Sequence, residues 1–224
     1  MTLVSSLAAQ GRKIDLLIEN PDSDLRKRLH PNINLVDLRK DVGSTGIDFL
    51  FRLASLALNL VRSNKSDPYG DVPFRTAVTR FLNKRRPPIY ALRRYIKTRR
   101  PESIISFLEY PNIGLLLAAQ LGRGDTRIYV NVRNHITSSV ANAKSRRMTE
   151  VPVLIRNLFH LADGIVAVSE GVALDVMQLT DTPPNRVTTI LNPVRFRETK
   201  EPANLPIPHP WISEDAPPLV LGVG

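Results

Sequence analysis

The chain has 224 residues, 42% of them hydrophobic, no Cys, and a formal net charge of +10. This composition excludes general intrinsic disorder, a disulfide framework, Cys-ligated zinc and a thiol nucleophile, and four scattered His argue against a His-rich metal site. At roughly 150 residues per domain, the length allows one large domain, or one domain and part of another.

Taken in chain order, short β-type runs alternate with helical periodicity, which predicts an α/β fold: a parallel sheet with helices on both faces. Thr2 to Gln10 has no secretory pattern and reads as the end of a helix closed by Gly11. Ile14 to Ile18 and Ile33 to Leu38 are buried strands, joined by a Pro21 to Pro31 connection. Ile47 to Val61 is apolar but shorter than the roughly 20 residues that span a bilayer, and it carries Arg52 and Asn59, so a buried or interfacial helix is expected. Phe74, Ala77, Val78, Phe81 and Leu82 recur at helical spacing until Pro87 and Pro88, which predict a stop. A second helix, Ile89 to Arg100, then ends at Pro101.

Beyond it, Ser103 to Leu108 reads as a strand and Asn112 to Leu121 as a helix closed by Gly122. Arg127 to Val132 is a strand, Ile136 to Arg147 a polar loop, and Val151 to Leu161 a helix. Gly164 to Val168 is the next strand. Ser169 caps a helix whose Val172, Val176 and Leu179 form a buried stripe, and Val187 to Leu191 is the last strand of this series. Residues 192–218 are Pro-rich, as a linker is, and 219–224 begin another apolar strand and Gly turn. The expected organisation is therefore one domain over 1–191, a linker over 192–218 and the first strand of a further domain over 219–224. Because a doubly wound sheet opens on a strand and a Gly-rich turn, its first strand is expected to be missing here.

The charge is local. From Val72 to Pro101 there is no acidic residue, while Lys and Arg contribute ten positive charges, Arg93, Arg94, Lys97 and Arg100 among them; the remainder of the chain is neutral. Three readings stay open for this segment: a solvated basic face, attraction to an anionic membrane or a phosphorylated acceptor, and nucleic acid. Nucleic acid is the weakest, since Tyr90 and Tyr95 accompany no recognised binding motif.

In open α/β sheets ligands sit at the carboxyl ends of strands. Four such ends stand out: Glu109 to Asn112, Arg133-Asn134-His135, Ser169 to Gly171, and Asn192 to Val194. Together with the basic stretch Ala91 to Ser106, the run Ala162-Asp-Gly-Ile-Val-Ala-Val-Ser-Glu-Gly-Val-Ala173, the strand Arg186 to Val194 and the run Pro217 to Gly224, they resemble the amino-terminal half of a family 4 glycosyltransferase of the two-Rossmann GT-B fold. The Ala162 to Ala173 run, close to the pattern ADxxVAVSEGVA, is the most specific of these stretches.

The resemblance implies an enzyme that moves a sugar from a nucleotide-sugar donor to a glycan or lipid-linked acceptor, retaining the anomeric configuration, without a metal or other cofactor. It implies that the acceptor binds this half and the donor mainly the other. This chain alone is then expected to be incomplete and inactive, located in the cytoplasm or peripherally at the inner face of the membrane. His135 matches a position where the family often has a His near the donor sugar and acceptor; a structural His is the alternative. Glu109 and Asn112 either contact acceptor hydroxyls or cap the following helix. Arg133 and Asn134 flank the cleft; Ser169 and Glu170 face it from a helix N-terminus, where Ser169 is most simply an N-cap and Glu170 either compensates the helix dipole or meets ligand; Asn192 shapes the turn at the cleft edge or contacts ligand directly. The rival from another class is a non-catalytic module that holds a membrane or partner through its basic helices at 75–100.

Overall fold

The computed structural model describes residues 2–19, 21, 23–39, 72–141 and 150–192. The expected helix over 47–61, the linker beyond Asn192 and the strand over 219–224 lie outside them. The chain divides into two compact units, Met1–Leu191 and Asn192–Gly224. All the elements that follow belong to the first.

In chain order these are α1 (Thr2–Ala9), β1 (Ile14–Ile18), α2 (Ser23–Arg28), β2 (Ile33–Asp37), α3 (Phe74–Arg99), β3 (Ser103–Phe107), α4 (Glu109–Gln120), β4 (Arg127–Val132), α5 (Ile136–Ala141), α6 (Val151–Leu158), β5 (Gly164–Ala167), α7 (Glu170–Thr180) and β6 (Val187–Thr189). A 3-10 turn, Phe159–Leu161, extends α6, and another, Pro184–Arg186, leads into β6. Every strand pair is parallel, as expected where helices carry each crossover. Among the described residues the strands form two sheets, β1-β2 and β3-β4-β5-β6, where the sequence pattern alone suggests one.

The core lies on one face of the four-stranded sheet. Ile128, Val130 and Val132 of β4 alternate inward with Ile165 and Ala167 of β5. They join one buried cluster with Leu115 and Leu116 of α4, Leu154 and Ile155 of α6, and Val176 and Leu179 of α7. Each such aliphatic side chain contributes about 1.5–3 kcal/mol by leaving water, so this cluster is what holds strand and helix layers together. On the opposite face Tyr129 pairs with Gly164, where an added Cβ would come within 3.0 Å of the tyrosine ring. A side chain at 164 would require that ring to shift by a few tenths of an ångström.

The small sheet is tied to α3 by Tyr95, whose hydroxyl donates to Asp15 Oδ2 on β1 at 2.8 Å. Leu17 of β1 and Val36 of β2 also pack against the main cluster. Arg80 of α3 donates to Glu150 beside α6 at 2.9 Å, so one of the ten cations holds helix to helix.

Four elements differ from the sequence expectation. Phe74–Arg99 is one continuous helix rather than two, running through Pro87 and Pro88. Each proline removes a helical N–H and crowds the preceding turn, at a cost of about 3 kcal/mol. The apolar stripes on either side, Val78, Phe81 and Leu82 before and Ile89, Tyr95 and Ile96 after, enter the same core, and their joint burial outweighs that local penalty. The connection over 21–31 contains α2, with Asp24 in its first turn and Arg26, Lys27 and Arg28 in its last, a charge order that suits the helix dipole. The supposed loop at 136 begins as helix α5, and β6 ends at Thr189, leaving Ile190 and Leu191 exposed.

Candidate functional site

Because β3, β4, β5 and β6 are parallel and adjacent, their carboxyl ends share one edge of the sheet, at about 4.8 Å from strand to strand. The helices α4 and α7 start from that same edge. Glu109 and Glu170 occupy their first turns, where a carboxylate offsets the partial positive charge of the unpaired N–H groups.

The end of β3 and the end of β4 meet through Glu109, whose Oε1 accepts a hydrogen bond from Asn134 Nδ2 at 3.1 Å. Between β3 and α4 stands Leu108, with φ 73° and ψ 157°, a backbone conformation nearly restricted to glycine. Its side chain is exposed. Leu108 O accepts the Asn112 N–H at 3.0 Å, so the strained residue also opens the helix.

Asn112 is not at the surface. It is 1% exposed. Its Oδ1 accepts from Ser106 Oγ at 2.6 Å and its Nδ2 donates to Asn131 O at 2.8 Å, which bolts β3, α4 and β4 together beneath the edge. The edge therefore brings together Glu109, Asn134 and His135, with Asn112 as the support below them.

His135 follows β4 and is half-exposed. Its carbonyl accepts the Ser139 N–H at 3.0 Å, which makes it the residue that opens α5. Capping of that helix comes from Asp175 of α7, a carboxylate whose side chain is 2% exposed. Asp175 Oδ2 accepts the N–H of Ile136 at 2.5 Å and of Thr137 at 3.3 Å, and Oδ1 accepts Thr137 Oγ1–H at 2.5 Å. The same Oδ1 lies 3.3 Å from His135 Nδ1. Thr137 Oγ1 and Ser138 Oγ stand 3.2 and 3.1 Å from that nitrogen. Among the described residues, every hydrogen bond of the ring is made through Nδ1.

Ser169 caps α7, its Oγ accepting the Val172 N–H at 3.3 Å. Glu170 is exposed beside it, and Arg133 is exposed with no hydrogen bond or ion pair among the described residues. Asn192 is exposed and belongs to the second unit. Of the basic set, Lys97 in the last turn of α3 and Arg100, its C-cap, are exposed with side chains that have no partner among the described residues, while Arg93 is half-buried and Arg94 exposed. They lie at the opposite end of β3 from Glu109, since α3 leads into that strand's start.

Asp175 is the residue that sequence reasoning missed. Its signal is an acidic residue inside the buried stripe of α7, between Val172 and Val176, where an unpaired charge would be too costly to keep. Among the described residues no group of three or more His, Asp or Glu is placed to hold a metal ion, and no helix is long and apolar enough to cross a membrane. No protein-family model matches the chain, and neither does any curated protein sequence.

Proposed function

We propose that this chain is the acceptor-side half of a retaining, metal-independent glycosyltransferase of the family 4 type, and that the shared carboxyl edge of β3–β6 is where a sugar binds. The observation that carries the reading is the juxtaposition of Glu109, Asn134 and His135 at that edge, with buried Asp175 3.3 Å from His135 Nδ1. A carboxylate, an amide and an imidazole in one row offer the mixed acceptors and donors that sugar hydroxyls require. Donor diphosphate and the developing positive charge on the sugar call for basic side chains and helix N-termini facing the cleft. In this reading the donor half supplies most of these, while Arg133 and the start of α7 contribute from this side. In this reading the protein works in the cytoplasm or peripherally at the inner face of the membrane.

Two measurements test it. Titration of the isotopically labelled chain with oligosaccharides is expected to shift the amide signals of Glu109, Asn134, His135 and Glu170, and a titration that moves none of them overturns the sugar site. Incubation of the 224-residue chain with nucleotide-sugars is expected to give no transfer, and turnover would show that it needs no other half.

A second reading, a membrane-surface module, is favoured by Lys97 and Arg100, which stand free of partners among the described residues. It is compatible with the first, because the basic end of α3 and the sugar edge lie at opposite ends of β3.

A further inference from the structure

We propose that Asp175 is a positioning residue that holds His135 in the tautomer protonated at Nδ1, which leaves Nε2 as a bare hydrogen-bond acceptor for a hydroxyl group at the sheet edge. That the hydroxyl belongs to a sugar rests on the proposed function; the tautomer does not.

The argument follows the protons. Thr137 has one hydroxyl proton, and its 2.5 Å contact to Asp175 Oδ1 uses it, because a carboxylate oxygen can only accept. Thr137 Oγ1 therefore turns lone pairs, not a proton, toward His135 Nδ1 at 3.2 Å. Asp175 Oδ1, 3.3 Å from the same nitrogen, makes no hydrogen bond to it but places a negative charge beside it. Both favour a proton on Nδ1.

The groups that could oppose this come from Ser138. Its N–H lies 3.5 Å from Nδ1, at the limit of a hydrogen bond, and its Oγ, at 3.1 Å, can accept as readily as donate. One committed acceptor, one neighbouring negative charge and one hydroxyl able to accept outweigh one long N–H contact. Which ring nitrogen carries the proton is set by the bond the other one makes, and here Nδ1 makes them all among the described residues. The carboxylate is itself held rigid by the two N–H groups that start α5, so the ring orientation is inherited from the packing of α7 against that helix. A half-exposed His with its inner nitrogen beside a buried carboxylate differs from a solvated surface His in just this respect.

Nitrogen-15 imidazole spectra of the full chain, recorded well above the ordinary His range so that the ring is neutral, read the tautomer directly; His135→Gln assigns the signals. Wild-type protein is expected to show a protonated Nδ1 and an unprotonated Nε2 for His135. Asp175→Asn keeps an oxygen for the Ile136 N–H but can turn an amide N–H toward Nδ1, so the proton is expected to move to Nε2. A wild-type ring protonated mainly at Nε2, or the same tautomer in a folded Asp175→Asn protein, overturns the proposal. If that variant does not fold, the wild-type spectrum decides alone. A failed sugar titration together with an Nδ1-protonated ring would remove the sugar reading and leave the dyad standing.

Discussion

Asp175 Oδ1 and His135 Nδ1 lie 3.3 Å apart, joining the middle of α7 to the carboxyl end of β4 across 40 residues of chain. The same carboxylate accepts two backbone N–H groups of α5. Asp175→Ala leaves those donors buried and unsatisfied, so urea unfolding is expected to show a loss of about 2–4 kcal/mol. Asp175→Asn, which keeps one acceptor oxygen, is expected to lose roughly half as much by the same principle. Equal stability of the alanine variant and wild type would show that α5 does not depend on this cap.

Asn112 makes a parallel case at the base of the site. Asn112→Leu is close in volume but removes the acceptor of part-buried Ser106 and the donor to buried Asn131 O. Stranding two polar groups costs about 2–4 kcal/mol, readable as a fall in the denaturation midpoint. Because Asn112 is sealed from solvent, any sugar-dependent shift at Glu109 should survive in the folded fraction of a milder variant, Asn112→Ser.

Leu108 stores strain at the turn into α4. Its φ of 73° with ψ of 157° costs on the order of 1–3 kcal/mol for a residue with a side chain. Leu108→Gly relieves that but gains roughly 0.5–1 kcal/mol of unfolded-chain freedom to be lost on folding. A net stabilisation of about 1 kcal/mol is expected, a rise of roughly 2–4 °C in Tm for a chain of this size. A lower Tm would mean that the exposed leucine side chain contributes contacts worth more than the strain.

Tyr95 links pH to the small sheet. Burial first, then the hydrogen bond to Asp15 and that carboxylate's charge, hold its hydroxyl well above the ordinary value near 10. The unfolded chain therefore loses this proton at lower pH than the folded one. The stabilisation is complete below pH 10 and declines as pH rises above it. Tyr95→Phe cannot ionise, so its stability should fall less steeply than that of wild type between about pH 9.5 and 11. Parallel curves would show that the hydroxyl is not the group that titrates.

Reversing Arg93, Arg94 and Lys97 to Glu separates a membrane surface from a solvated face. Each basic residue near an anionic bilayer contributes about 1 kcal/mol, so the triple variant should lose pelleting with phosphatidylserine vesicles by a hundredfold or more, at roughly physiological salt. Neutral vesicles should retain neither protein. Unchanged pelleting would locate any lipid contact elsewhere.

Much of the fold is readable along the chain because it depends on local alternation. The runs at 14–18, 33–37, 103–107, 127–132 and 164–167 announce strands by their apolar β-branched content, and the helices between them imply parallel pairing. The Ser169 cap is equally local, since the hydroxyl reaches a backbone N–H three residues on. His135 could be singled out as a strand-end residue before a polar stretch, and Glu109 and Asn134 as neighbours of strand ends.

Tertiary structure alone decided the rest. The prolines at 87 and 88 look like a helix stop until Phe81, Leu82, Ile89 and Ile96 are seen entering one core. Asn112 looks like a cleft residue until its depth is known, because an amide looks the same in a sequence whether it meets a ligand or two buried partners. The start of α5 looks like a loop because its cap comes from Asp175, 39 residues downstream of Ile136. Sequence by itself determined most of the strands and helices, since backbone geometry and side-chain burial repeat over a few residues. Only the packed fold could determine which polar groups face each other, since a hydrogen bond is specified by distance in space.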